Sequence, residues 1–103
     1  MEKVVFAFDR DGTVSTGGGP VPIDVVRRLK EKHVVYAIGN AILCKEAGIP
    51  YAEGWTKAER LRWLRERFPD AKAYIVVDDV PITEAGWAYI PPARFVKVMN
   101  QYL

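Results

Sequence analysis

Residues 4–13, VVFAFDRDGT, constrain the fold more than any other stretch of the chain. Val4, Val5, Phe6, Ala7 and Phe8 form an unbroken apolar run, too short for a helix and without the alternation of a half-exposed strand. Such a run fits a β-strand covered on both faces, as in a parallel sheet flanked by helices. It stops abruptly at Asp9-Arg10-Asp11-Gly12-Thr13, which puts two carboxylates at a strand's carboxyl end. In open α/β sheets ligands bind at that edge, because diverging crossovers leave a crevice there.

The rest of the chain repeats the strand-then-helix rhythm. Gly17-Gly18-Gly19, between Val14-Ser15-Thr16 and Pro20-Val21-Pro22, supplies the conformational freedom of a tight reversal and predicts a small hairpin flap. Ile23, Val26 and Leu29 set an apolar helical stripe over residues 23–32, with Arg27, Arg28, Lys30 and Glu31 outside it and His33 at its end. Residues 34–38 read as a second buried strand and 41–47 as a helix ending at Gly48. Residues 49–52 form a short third strand, which Pro50 confines to an edge. Thr56 and Glu59 have capping-box spacing and open a helix with Ala58, Leu61, Leu64 and Phe68 on one face. Residues 74–77 make a fourth strand ending in Asp78-Asp79, and residues 88–90 a fifth. Pro91-Pro92 then starts a last helix carrying Phe95, Val96, Met99 and Leu103 on its packing side. Alternation of this kind predicts one α/β domain over residues 1–103, a three-layer α/β/α Rossmann-like core with a mostly parallel sheet.

Composition narrows the function classes. A chain of 103 residues with 50% hydrophobic and 27% charged residues builds one ordinary globular core. Fifteen basic against 13 acidic residues leave a net charge of +2, too small for a field that would demand nucleic acid. Cys44 is the single cysteine, so neither an intrachain disulfide nor a cysteine metal knuckle is available. The first strand follows Met-Glu-Lys at once, and no apolar run approaches the length of a membrane span. A cytoplasmic protein with no membrane partner is expected.

An apolar strand followed by DxDGT resembles the first motif of the haloacid dehalogenase-like (HAD) phosphohydrolases, and Asp78-Asp79 after a later strand resembles their fourth. The resemblance implies a sheet order of 5-4-1-2-3 with the first strand central. Asp9, Asp11, Asp78 and Asp79 would then face one another across a single crevice. Four unpaired carboxylates repel, and a hard divalent cation such as Mg²⁺ relieves this through oxygen ligation, so all four are candidate metal ligands. By the same resemblance Asp9 is the nucleophile that takes up phosphorus as an aspartyl-phosphate, and Asp11 the general acid and base. Lys57 matches the basic residue of the third motif, with Lys72 competing for that role. A cation in a helix's first turn is disfavoured by the helix dipole, which points to a use for Lys57 elsewhere. Arg10, Thr13, Gly39 and Asn40 are the candidate substrate-binding residues. Gly39-Asn40 stands where the family carries Ser or Thr, a departure that leaves room for a degenerate site.

Residues 14–22 and 53–55 are too few to hold the cap domains that family members use on small substrates. The resemblance therefore implies an uncapped Mg²⁺-dependent phosphatase whose crevice is sealed by a large phosphorylated substrate or by another subunit, so a homo-oligomer is allowed. Two other readings stand beside it. One is a catalytically reduced HAD-fold binding or regulatory module, with Trp55, Trp63 and Trp87 as apolar anchors. The other is a Mg²⁺-dependent nuclease, which leaves nucleic acid open as a partner through Arg60, Arg62, Arg65 and Arg67.

Overall fold

A computed structural model describes residues 2–103. Strands β1 (Val4–Phe8), β2 (Val34–Ala37), β3 (Ala73–Val77) and β4 (Ala88–Ile90) form one all-parallel sheet in the order β2-β1-β3-β4. Helices α1 (Ile23–Leu29), α2 (Ile42–Ala47), α3 (Lys57–Arg67) and α4 (Pro92–Val98) connect and cover it. Five full strands in the order 5-4-1-2-3 are not formed. The segment expected as a third strand makes one parallel bridge, Ala37 to Tyr51. Its bonds are Ala37 N–H to the Pro50 carbonyl and Ala52 N–H to the Ala37 carbonyl. Proline has no N–H to extend the ladder further, which accounts for the reduction.

The predicted hairpin flap is also replaced. Ser15–Gly17 is a single 3₁₀ turn, and Val14 meets Val21 in a parallel, not antiparallel, bridge. Both valines are fully buried, so the loop folds inward as part of the core rather than projecting as a ribbon. Helix α1 ends earlier than its sequence stripe, at Leu29.

Strand alternation sorts the core into two layers. Val4, Phe6 and Phe8 point to one face, where Val26, Leu29, Leu43 and Phe95 join them. Phe95 meets Phe6 and Phe8 edge-on, with ring centroids 5.9 and 5.5 Å away. Val5 and Ala7 point to the other face, with Tyr74, Val76, Leu61 and Leu64. Helix α3 covers that second face, and its capping box is formed as the sequence predicts: Thr56 accepts from Glu59 N–H, and Glu59 accepts from Thr56 N–H. His33 is a structural residue. Its Nδ1 accepts the Val4 N–H at 3.2 Å and its Nε2 meets the Tyr102 carbonyl at 3.0 Å, tying β1 to the segment after α4. No helix among the described residues is long and apolar enough to cross a membrane.

Phe95→Ala should cost about 3–5 kcal/mol, since it empties a fully buried aromatic site, whereas Thr56→Ala should cost only about 1 kcal/mol through loss of one cap. Urea unfolding of the two variants checks the ratio; equal losses would contradict this placement of the core.

Candidate functional site

The register between β1 and β3 builds the site. Phe8 lies opposite Val77, so the next residues, Asp9 and Asp78, leave the sheet side by side. Asp9 N–H still donates to the Val77 carbonyl at 3.1 Å, which prolongs the pairing by one residue. By alternation, Asp9 follows Val5 and Ala7 and Asp78 follows Tyr74 and Val76, so both turn toward the face that α3 covers. Helix α3 precedes β3 and therefore begins at the strands' carboxyl edge. Its first residue, Lys57, sends its ammonium between the two acids, 2.7 Å from Asp78 Oδ2 and 3.4 Å from Asp9 Oδ1.

Asp79 completes an acidic group in which one oxygen from each of Asp9, Asp78 and Asp79 lies within 4.8 Å of the others. Asp9 and Asp78 are buried, with Asp78 wholly out of contact with solvent, and Asp79 is exposed. Both Asp78 oxygens have partners, Lys57 on one and the Val80 N–H at 2.9 Å on the other. The backbone gives way for these acids at two glycines. A Cβ at Gly39 would overlap Asp9 Oδ1, and one at Gly12, whose φ is 76°, would overlap the Asp79 carboxylate. Thr13 is fully buried and donates its hydroxyl to Asp9 Oδ2 at 3.4 Å.

Burial and charge crowding raise the Asp9 carboxyl from its ordinary 3.8 to about 6. Burial is the largest cause, followed by the nearby Asp78 charge; Lys57 pulls the other way, and a hydrogen bond shared with Asp79 adds to the rise. For Lys57, burial opposes the charge, but the hydrogen bond and charge of Asp78, then those of Asp9, outweigh it and hold the ammonium pKa above its usual value. Three carboxylates against one ammonium is an oxygen-rich, net negative pocket, and its donors suit a hard divalent cation.

Other sequence candidates lie elsewhere or are otherwise engaged. Asp11 is not part of the acidic group; its carboxylate accepts from Arg10 Nη1 at 2.9 Å and from Asn40 Nδ2 at 3.3 Å. Arg10 is no free phosphate ligand, because Glu46 holds its Nε and Nη2 at 2.8 and 3.2 Å and Nη2 also reaches the Thr16 carbonyl. Asn40 turns its Oδ1 to the Ile42 N–H at 3.0 Å, steadying the entry to α2. Lys72 is exposed just ahead of β3, at the end of the sheet away from the acids, and its claim to the third-motif role lapses.

The arginines of α3 are structural as well. Arg60 donates to the Ile38, Gly54 and Trp55 carbonyls, Arg65 to the Ala85 carbonyl, and Arg67 lies over the Trp63 and Phe68 rings. Arg62 faces Glu84 at 3.6 Å. Trp63 and Trp87 pack against the core, while Trp55 stands in solvent. Glu46 and Tyr51 were invisible to motif reasoning. Tyr51 donates its hydroxyl to the Gly39 carbonyl, and only the fold brings that ring to the site.

The raised Asp9 pKa means that the folded protein binds more protons than the unfolded chain between about pH 4 and pH 6. Stability of the metal-free protein should therefore fall as pH rises through that window. Asp9→Asn should flatten the profile and leave the variant the more stable of the two at pH 7, with the gap closing below about pH 4. Thermal melts across pH check the sign; a wild-type protein that gains stability over that interval would refute it.

Comparison of the chain with known protein families, with curated proteins and with solved structures finds no match.

Proposed function

We propose that the chain is a Mg²⁺-dependent phosphohydrolase that works through Asp9, in the manner of the HAD phosphatases its DxDGT motif resembles. The observation that carries this reading is the convergence of Asp9, Asp78 and Asp79 within 4.8 Å at the ends of adjacent parallel strands, with Lys57 bridging two of them. The parallel order β2-β1-β3-β4, which sets β1 beside β3, supports the reading by bringing Asp9 next to Asp78. Cation and site fit on donor chemistry. Asp9 and Asp79 would hold the ion, and Asp79 is the more available of the Asp78-Asp79 pair because Lys57 and the Val80 N–H already occupy Asp78. Bound there, Mg²⁺ supplies positive charge to phosphate oxygens that this acidic pocket would otherwise repel.

The chain's own residues then divide the work. Asp9 attacks phosphorus, forming an acyl-phosphate bond as the bond to the leaving oxygen breaks, and Asp11 gives that oxygen a proton. In the second half Asp11 takes a proton from water, whose oxygen displaces Asp9 and releases inorganic phosphate. Lys57 keeps the Asp9 carboxylate oriented and offsets phosphate charge, while Thr13 holds the other Asp9 oxygen. Asp11 must swing away from Arg10 and Asn40 to act, since its carboxylate is turned toward them. That orientation is what favours the second reading, a binding module that keeps the acidic site without turnover.

Turnover of a generic aryl phosphate should require Mg²⁺ and vanish in Asp9→Asn, with Asp11→Asn slowed about 10²-fold or more. Undiminished hydrolysis by Asp9→Asn would falsify the covalent mechanism. Wild-type protein that fails to bind beryllium fluoride in the presence of Mg²⁺ would favour the module.

Saturating Mg²⁺ should also raise the melting temperature, by the equivalent of about 2.7 kcal/mol at a hundredfold excess over Kd, and more weakly below about pH 6, where Asp9 carries a proton. Asp79→Asn should abolish that gain. Calorimetric scans with and without the ion decide it, and an Asp79→Asn protein that responds like wild type would reassign the ligand.

A further inference from the structure

The large apolar side chains most exposed among the described residues are Ile42, Trp55 and Val80, and all three sit where chain segments leave or re-enter the carboxyl edge of the sheet. Trp55 is the extreme case, 92% exposed two residues ahead of Lys57. Its backbone is nonetheless held in place. Arg60 donates to the carbonyls of Gly54 and Trp55 and, with the same guanidinium, to that of Ile38 at the end of β2. The backbone that presents this indole is thus fixed in advance, which lowers the ordering cost of binding to it.

What lies beneath the indole links it to the acids. Trp55 and Tyr51 line one open groove of about 440 Å³, with Glu53 on its wall. Tyr51 donates its hydroxyl to the Gly39 carbonyl, and Gly39 lies against the Asp9 carboxylate. Tyr51 thus joins the wall of the groove to the residue that lies against Asp9. Two residues of chain span at most about 7 Å, so the Cα atoms of Trp55 and Lys57 lie within that distance of each other.

We propose that Trp55 is a stacking platform for the base of a nucleoside monophosphate whose phosphate sits at the Asp9 centre. The assignment rests on the phosphohydrolase reading and names its substrate class. A flat, open aromatic face binds planar π-systems without regard to ring substituents. The Glu53 carboxylate matches the exocyclic amino group of a base and repels further phosphates, which favours a mononucleotide over a diphosphate or a polynucleotide strand. The α3 arginines each have a partner within the chain, Arg60 and Arg65 on carbonyls, Arg62 facing Glu84 and Arg67 over two rings, so they are not lined up as free cations for a nucleic acid backbone.

The test separates binding from turnover by using the Asp9→Asn protein with Mg²⁺ alongside wild type. Adenosine and cytidine monophosphates should quench tryptophan emission in both proteins and bind at least about fivefold more tightly than ribose 5-phosphate, the range expected for one stacked base being about fivefold to a hundredfold. Trp55→Ala should remove both the quenching and the preference for the nucleotide over ribose 5-phosphate, and Trp55→Phe should restore part of the preference. Trp55 is solvent-exposed, so neither change threatens the fold. Equal binding of the nucleotides and ribose 5-phosphate, or nucleotide binding indifferent to Trp55→Ala, overturns the proposal. Trp55-dependent binding of phosphotyrosine with none of the nucleotides overturns the nucleobase assignment. Stacking that persists while no phosphate is released leaves this inference standing and refutes the hydrolase reading alone.

Discussion

The contact on which the site depends is the ammonium of Lys57 set between Asp9 and Asp78, 3.4 and 2.7 Å away. Two adjacent buried carboxylates at strand ends would repel, and one counter-charge from the first turn of α3 makes their proximity tolerable. A lysine is poorly placed there by the helix dipole alone, and the capping box of Thr56 and Glu59 secures the helix start that its charge disfavours. Sheet register, helix start and charge balance are thus a single problem with a single solution. Lys57 also leaves the balance incomplete: with Asp79 included, the pocket remains net negative, and burial together with the Asp78 charge holds the Asp9 pKa above its ordinary value.

Much of this was legible in the sequence because strong local signals and the global fold agree. The buried run at Val4–Phe8, the acids Asp9 and Asp78-Asp79 at strand ends and the Thr56 capping box are each found in place. Motif reasoning brought Asp9, Lys57, Asp78 and Asp79 together correctly, since the parallel order fixes which strand ends are neighbours. It failed where a side chain has a choice. Asp11 lies two residues from Asp9, yet a loop, not a strand, carries it, and Arg10 and Asn40 draw its carboxylate aside. Spacing alone could not tell that Glu46 would occupy Arg10, nor that Arg60 would spend its donors on three carbonyls. Long flexible side chains take their partners from tertiary context, about which local sequence is silent.

The loops around the site are braced more firmly than their length suggests. Arg10 joins the Thr16 carbonyl to Glu46 on α2, Thr16 adds its own hydroxyl to Glu46, and Arg60 fixes the segment before α3. Bracing of this kind gives the acidic group fixed walls.

The sheet order carries a consequence for synthesis on the ribosome. β1 emerges first but lies inside the sheet, and one of its two partners, β3, begins at Ala73. Until that late segment is translated, the most hydrophobic stretch of the chain has an open flank and only β2 beside it. Nascent chains halted before β3 are therefore expected to be sticky and dependent on chaperones, and final closure to be a late event dominated by a long-range pairing.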